Sequence, residues 1–180
     1  LSSSSAASDV YKRQGDTATD SHLELPLLQH SRERLESLEL QPFRTLIQEG
    51  ISSVMTAHLL IPALDKQWPA TLSANVLTTL LRVDLGFKGL VVTDALVMEA
   101  IAARYGAGEA AVLAFAAGAD LILMPADAVA AIDALCDALS TGRISMARLH
   151  DSLERRQAAL QSLPLTLDSV SYTHLRAHET

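Results

Sequence analysis

Apolar and polar positions along this chain change their period several times, and each change marks an element. Leu35, Leu38, Phe43, Leu46 and Ile47 recur at helical spacing, so a helical region is expected to follow His30 and Ser31. Pro42 lies inside it and lacks an N–H, which predicts a kink or a division there. Residues 50–62 then read as a buried strand through Val54 and Met55 to His58. Ser73 is placed to cap a helix over 74–82, which Gly86 ends. Leu90, Val91 and Val92 form an unbroken apolar run, the pattern of a parallel strand covered on both faces. Residues 98–106 come after it as a segment covering the exit of that strand. A helix over 109–118, a third strand over 119–125 and a helix over 128–139 come next. A last helix restarts at Ser145.

Helix, strand, helix, strand, helix, strand, helix is the order of an α/β protein whose parallel strands are joined by right-handed crossovers. Such a run fits a doubly wound sheet or a portion of an eight-stranded β/α barrel, and spacing does not choose between them. No G-x-G-x-x-G or Walker loop follows any strand, which disfavours a nucleotide site.

Composition narrows the picture. The chain has 180 residues, 49% of them apolar, enough for a packed core. Its net charge of −7 argues against nucleic acid or an anionic membrane as partner, and no apolar run reaches the length of a membrane span. The single cysteine, Cys136, permits neither an intrachain disulfide nor a cysteine metal site, and it reads as a small core residue. The Asp and His residues do not recur at metal-ligand spacing, so neither metal nor cofactor is expected.

Candidate chemistry centres on Asp94, directly after the apolar run. An acid at the carboxyl end of a buried parallel strand stands where β/α proteins place reactive groups, although a helix cap would use the same residue type. His58 holds the equivalent position after the earlier strand, either as a structural histidine or facing a pocket. Asp20 and His22 form a D-x-H pair on a polar loop. In an extended backbone the carboxylate reaches one ring nitrogen and leaves the other for a ligand.

Lys88-Gly-Leu-Val-Val-Thr-Asp-Ala-Leu-x-Met98, preceded by Leu80-Leu-Arg-x-x-Leu-Gly86, resembles the nucleophile signature of family-3 glycoside hydrolases. Gly15-Asp-Thr-x-x-Asp-Ser-His-x-x-Leu-Pro26 resembles the loop that marks the β-N-acetylhexosaminidase branch of that family, and Met55-x-x-His58 with Pro62-Ala-Leu-Asp65 continues the likeness. The resemblance covers about residues 15–163. It implies part of a (β/α)8 TIM-type barrel, namely strands 6–8 with their helices and the loop after strand 5. It implies a carbohydrate substrate and a retaining hydrolysis of terminal β-linked N-acetylglucosamine from peptidoglycan or chitin-type oligosaccharides. Asp94 would be the nucleophile and His22 the acid/base oriented by Asp20, with His58 and Met98 lining the sugar pocket. A histidine acid/base repels an anionic nucleophile less than a carboxylate would, which keeps phosphorolysis as a variant beside a β-glucosidase. The rivals outside the family are a non-catalytic α/β scaffold and a barrel enzyme that uses Asp94 as a base, neither of which needs the D-x-H loop.

One departure stands out. Relatives carry Lys-His-Phe-Pro-Gly-His just before this Gly-Asp-Thr, whereas here the positions read Val10-Tyr-Lys-Arg-Gln14. Residues 1–14 and 169–180 resemble translated adapter sequence, so residues 15–163 are expected to form the catalytic-domain portion and 164–168 a tail. This portion alone is expected to have little activity, because an open piece of barrel leaves strand edges unpaired. The compartment is left open, with the cytoplasm as default.

Overall fold

The computed structural model describes residues 25–162. The chain enters through α1 (Arg32–Arg34), which widens into a π-helical turn over Leu35–Glu39 and continues as α2 (Gln41–Gln48). Ser31 caps this helix, its hydroxyl accepting from the Arg34 N–H. The division falls at Leu40, whose N–H donates five residues back to the Leu35 carbonyl, and Pro42 occupies the first turn of α2, where a missing N–H costs nothing.

Strand β1 (Ser53–Met55) pairs in parallel with β2 (Leu90–Val92), Val54 opposite Val91. Between them run a short 3₁₀ turn (Ala70–Leu72) and helix α3 (Asn75–Asp84), whose bonds are of the π type. Ser73 accepts from the Val76 N–H through its hydroxyl, so it serves the capping role expected of it. After β2 come α4 (Glu99–Tyr105), α5 (Ala107–Ala117), α6 (Ala128–Ser140) and α7 (Met146–Gln161). Residues 98–106, expected to cover the strand exit, are largely helical as α4; Gly106, at φ 71°, separates α4 from α5. Asp127 and Ser145 cap α6 and α7 through their side chains.

The stretch expected as a third strand contributes a single parallel bridge, Val92 to Leu121. It still lies along β2, because the Asp120 and Leu121 N–H groups both donate to the Val91 carbonyl and Thr93 donates to Leu121. A further bridge joins Leu27 to Leu60 beyond the exit of β1.

The core lies on one side of this small sheet. Val91, Phe87, Leu77, Leu81, Leu96 and Ile101 pack with the alanine face of α5, and Val54 and Ile122 join from the flanking strand positions. Alternation along the strands sends Met55, Leu121 and Leu123 to the opposite face, where they are 58%, 36% and 36% exposed. The expectation that residues 90–92 are covered on both faces is therefore corrected. Val91 is fully buried and its two neighbours only half-buried, since helices cover one face of the sheet.

Small residues set two close approaches. Gly108 lets α5 lie against α6, where a Cβ would meet Ala134 Cβ at 3.0 Å and the Ala130 carbonyl oxygen at 3.2 Å. Gly89 lets β2 start beside the Ser52 carbonyl, which any side chain would overlap. Cys136, read as core from sequence, is exposed: α6 turns Ala131 and Ala138 inward and leaves Cys136 on its outer side.

Candidate active site

Both strands exit toward the same region, and hydrogen bonds tie the segments beyond them closely together. Thr93 is fully buried, its N–H donating to the Leu121 carbonyl and its hydroxyl accepting from the Leu123 N–H at 2.9 Å. Asp94 comes next, half-buried, with Oδ1 accepting from the Ala95 N–H at 2.8 Å. Among the described residues this is its one hydrogen bond. The turn then closes through Met98 N–H to the Ala95 carbonyl, while the Leu96 and Val97 N–H groups donate to the carbonyls of Leu123 and Met124. Met124 takes a positive φ of 42°, so a residue with a side chain holds a left-handed conformation right beside the turn.

His58 connects the two exits. It is 0% exposed, and each ring nitrogen has a partner: Nε2 lies 3.0 Å from the Ala95 carbonyl and Nδ1 2.9 Å from Thr71 Oγ1. A carbonyl only accepts, so the ring proton sits on Nε2. Burial pushes the imidazole below its ordinary value, with the Ala95 carbonyl and the Asp94 charge opposing. The ring is accordingly neutral, and bare Nδ1 accepts the Thr71 O–H. Thr56 Oγ1, 2.9 Å from Thr71 Oγ1, supplies the next donor in the chain. The Thr56 backbone N–H meanwhile bonds the Val92 carbonyl, joining the end of β1 to the end of β2.

A second network fixes the segment that carries Thr71. Asp65 accepts from the Gln67 and Trp68 N–H groups through Oδ1, and from Ser73 Oγ at 2.6 Å and Asn75 Nδ2 through Oδ2. Burial alone would raise its carboxyl pKa, but these donors outweigh it and hold it low. Trp68 packs against Tyr105 at the end of α4, ring centroids 5.8 Å apart.

Of the residues singled out from sequence, Asp94, His58 and Met98 come together around the Ala95 carbonyl, which accepts from both His58 and Met98. Asp20 and His22 lie outside the described residues. His58, expected to line a sugar pocket, has no ring nitrogen left for a ligand in this arrangement. Met98 is half-buried at the start of α4. The sequence reading missed Thr56 and Thr71, since nothing local distinguishes a threonine that meets a histidine 13 residues away. No group of three metal-ligating side chains occurs among the described residues, and no helix among them is long and apolar enough to cross a membrane.

The fold is thus of the β/α class, with an aspartate held through one oxygen by its own turn at the carboxyl end of a parallel strand. Residues 11–159 match the glycosyl hydrolase family 3 N-terminal domain, and the chain belongs to that family. The family's N-terminal domain is an α/β fold of the TIM-barrel kind, consistent with the helix-rich structure and its parallel strands. The chain is 34% identical to a β-hexosaminidase A of Pseudoalteromonas piscicida, over 87% of this chain and 30% of that protein. A β-hexosaminidase of Neisseria gonorrhoeae is 43% identical over 58% of this chain and 29% of its own length. Among solved structures, a family-3 β-N-acetylglucosaminidase from Paenibacillus superposes with a TM-score of 0.79 at 49% identity, covering 87% of this chain and 32% of that one. The chain thus spans about a third of the length of these relatives.

Proposed function

We propose that residues 15–163 are the C-terminal portion of a family-3 catalytic barrel, strands 6–8 with the loop after strand 5. The protein they belong to is a retaining glycosidase that releases terminal β-linked N-acetylglucosamine. The observation that carries this is Asp94: half-buried, fixed through one oxygen by the Ala95 N–H, and with its other oxygen free of partners among the described residues. That is the state a nucleophile needs, rigid yet with an unshared oxygen. The names of the relatives supply the sugar.

In the first step an Asp94 oxygen bonds to the anomeric carbon as the glycosidic C–O bond breaks, and protonated His22 delivers its proton to the departing oxygen. In the second, water attacks the same carbon, His22 takes the water's proton, and the Asp94 carboxylate leaves. Asp20 orients the His22 ring. The negative charge of Asp94 also stabilises the oxocarbenium-like transition state.

The test is a graft. Residues 15–163 replace the matching portion of the Paenibacillus enzyme, and release of an aryl group from an aryl β-N-acetylglucosaminide is followed with and without phosphate. Turnover independent of phosphate supports the hydrolase, and turnover that requires phosphate makes the protein a phosphorylase. A folded graft that turns over an aryl β-glucoside instead would overturn the choice of sugar.

A further inference from the structure

We infer that Thr71 is a positioning residue for Asp94, acting through His58. This rests on the reading of Asp94 as the nucleophile. The path is short and continuous. The Thr71 O–H donates to His58 Nδ1, His58 Nε2–H donates to the Ala95 carbonyl, and the Ala95 N–H holds Asp94 Oδ1, with distances of 2.9, 3.0 and 2.8 Å. Two features make Thr71 the controlling member. A neutral imidazole carries one ring proton; the Ala95 carbonyl draws it to Nε2, and the Thr71 O–H completes that form by supplying the donor that bare Nδ1 needs. Thr71 is itself fully buried and anchored, with Thr56 donating to its oxygen and with Asp65 and Ser73 holding the turn it stands on.

The hydroxyl has a second acceptor within reach, the Ala57 carbonyl at 3.1 Å. If its proton turned there, Nδ1 would face an oxygen lone pair, and only the Ala95 carbonyl would still favour the Nε2–H form. The ring itself holds the proton: with the His58 proton on Nε2 against the Ala95 carbonyl, bare Nδ1 needs the Thr71 O–H as its donor, and Thr56 can donate to the Thr71 oxygen at the same time. Since Met98 N–H shares the Ala95 carbonyl with His58, loosening the imidazole also loosens the turn that carries Asp94.

The test begins with the unsubstituted 180-residue chain. Nitrogen-15 spectra of the His58 ring are expected to show the proton on Nε2 and a hydrogen-bonded Nδ1; a proton on Nδ1 overturns the proposal without any variant. Thr71→Val keeps the shape and removes the donor, and Thr71→Ser restores it. In the valine variant the Nδ1 signal should move to that of an unbonded ring nitrogen, and the Met98 amide should exchange about tenfold faster. Serine should return both. In the graft, Thr71→Val should lower kcat about tenfold with KM little changed, and Thr71→Ser should recover it. A folded Thr71→Val graft with wild-type kcat overturns the proposal. If no graft turns over, the reading of the reaction has failed, and unchanged Met98 exchange in Thr71→Val then overturns the positioning role separately.

Discussion

Two aspartates flank the parallel strands at opposite ends and are held in opposite ways. Asp94, at the exit of β2, keeps one hydrogen bond among the described residues. Asp120, beside the start of β2, has a fully buried side chain and accepts from five groups. These are Arg82 and the Val91 N–H on Oδ2, and Ser152, Arg155 and, at 3.5 Å, Arg148 on Oδ1. Arg82 also reaches the Phe87 and Gly89 carbonyls, and Arg148 those of Phe115 and Ala119, so this one carboxylate pins α3 and α7 to the sheet. Burial lowers the pKa of both guanidiniums and the Asp120 charge opposes it, as expected where charges leave water together. A saturated acid serves cohesion, and the unsaturated one at the other end of the same strand is the one proposed above to serve chemistry.

The sharpest way to break that contrast is to delete each acid in turn. Asp94→Ala in the graft should cost about 10⁴-fold or more in kcat while shifting the urea midpoint of the 180-residue chain hardly at all. Retained turnover would remove the nucleophile from the mechanism. Asp120→Ala should do the reverse and destabilise the chain by about 3–5 kcal/mol, because three guanidiniums lose their shared partner. Equal stability losses in the two variants would mean that the ends do not differ in kind.

The next effect concerns acid. Asp65 supports the turn under Thr71, and its folded pKa lies below the ordinary 3.8. Its contribution is therefore complete above that value and fades as pH falls below it toward the folded pKa. Asp65→Asn should flatten the acid side of the stability curve and cost on the order of 1–3 kcal/mol at neutral pH, as buried donors lose a charged acceptor. A stability curve with the same slope below about pH 4 in both proteins would show that Asp65 is not held low.

The two ends also differ in how far the sequence discloses them. The place of Asp94 at a strand exit is legible because its signal is local, an apolar run and then at once an acid, and the helix starts at Ser31 and Ser145 are local for the same reason. Residues 119–125 read as a full strand from their apolar content, yet they make one bridge. The number of ladder bonds depends on what lies alongside, and periodicity carries no trace of that. The Asp120 network is invisible at that level. Its side-chain partners sit 28 to 38 residues away, and an aspartate before an apolar run looks like any loop residue. His58 is legible as a residue of interest, but its direction is not. Two threonines and one carbonyl decide that, and only the folded chain assembles them.

The smallest expected effect tests whether geometry or burial makes the Asp120 end strong. Arg143 grips Glu109 with both terminal nitrogens, as good a fork as any at Asp120, and holds the Glu109 carboxyl below its ordinary 4.5. Both side chains are more than two-fifths exposed, so water screens the pair and competes for its donors. Glu109→Gln should therefore cost less than about 1 kcal/mol near neutral pH, and the loss should shrink as salt rises. The sign comes from the lowered pKa: whatever the pair contributes is present above 4.5 and disappears on acidification. Urea unfolding of the variant and the parent at low and high salt measures it. A salt-independent loss as large as that of Asp120→Ala would mean that fork geometry, rather than removal from water, sets the strength of these contacts.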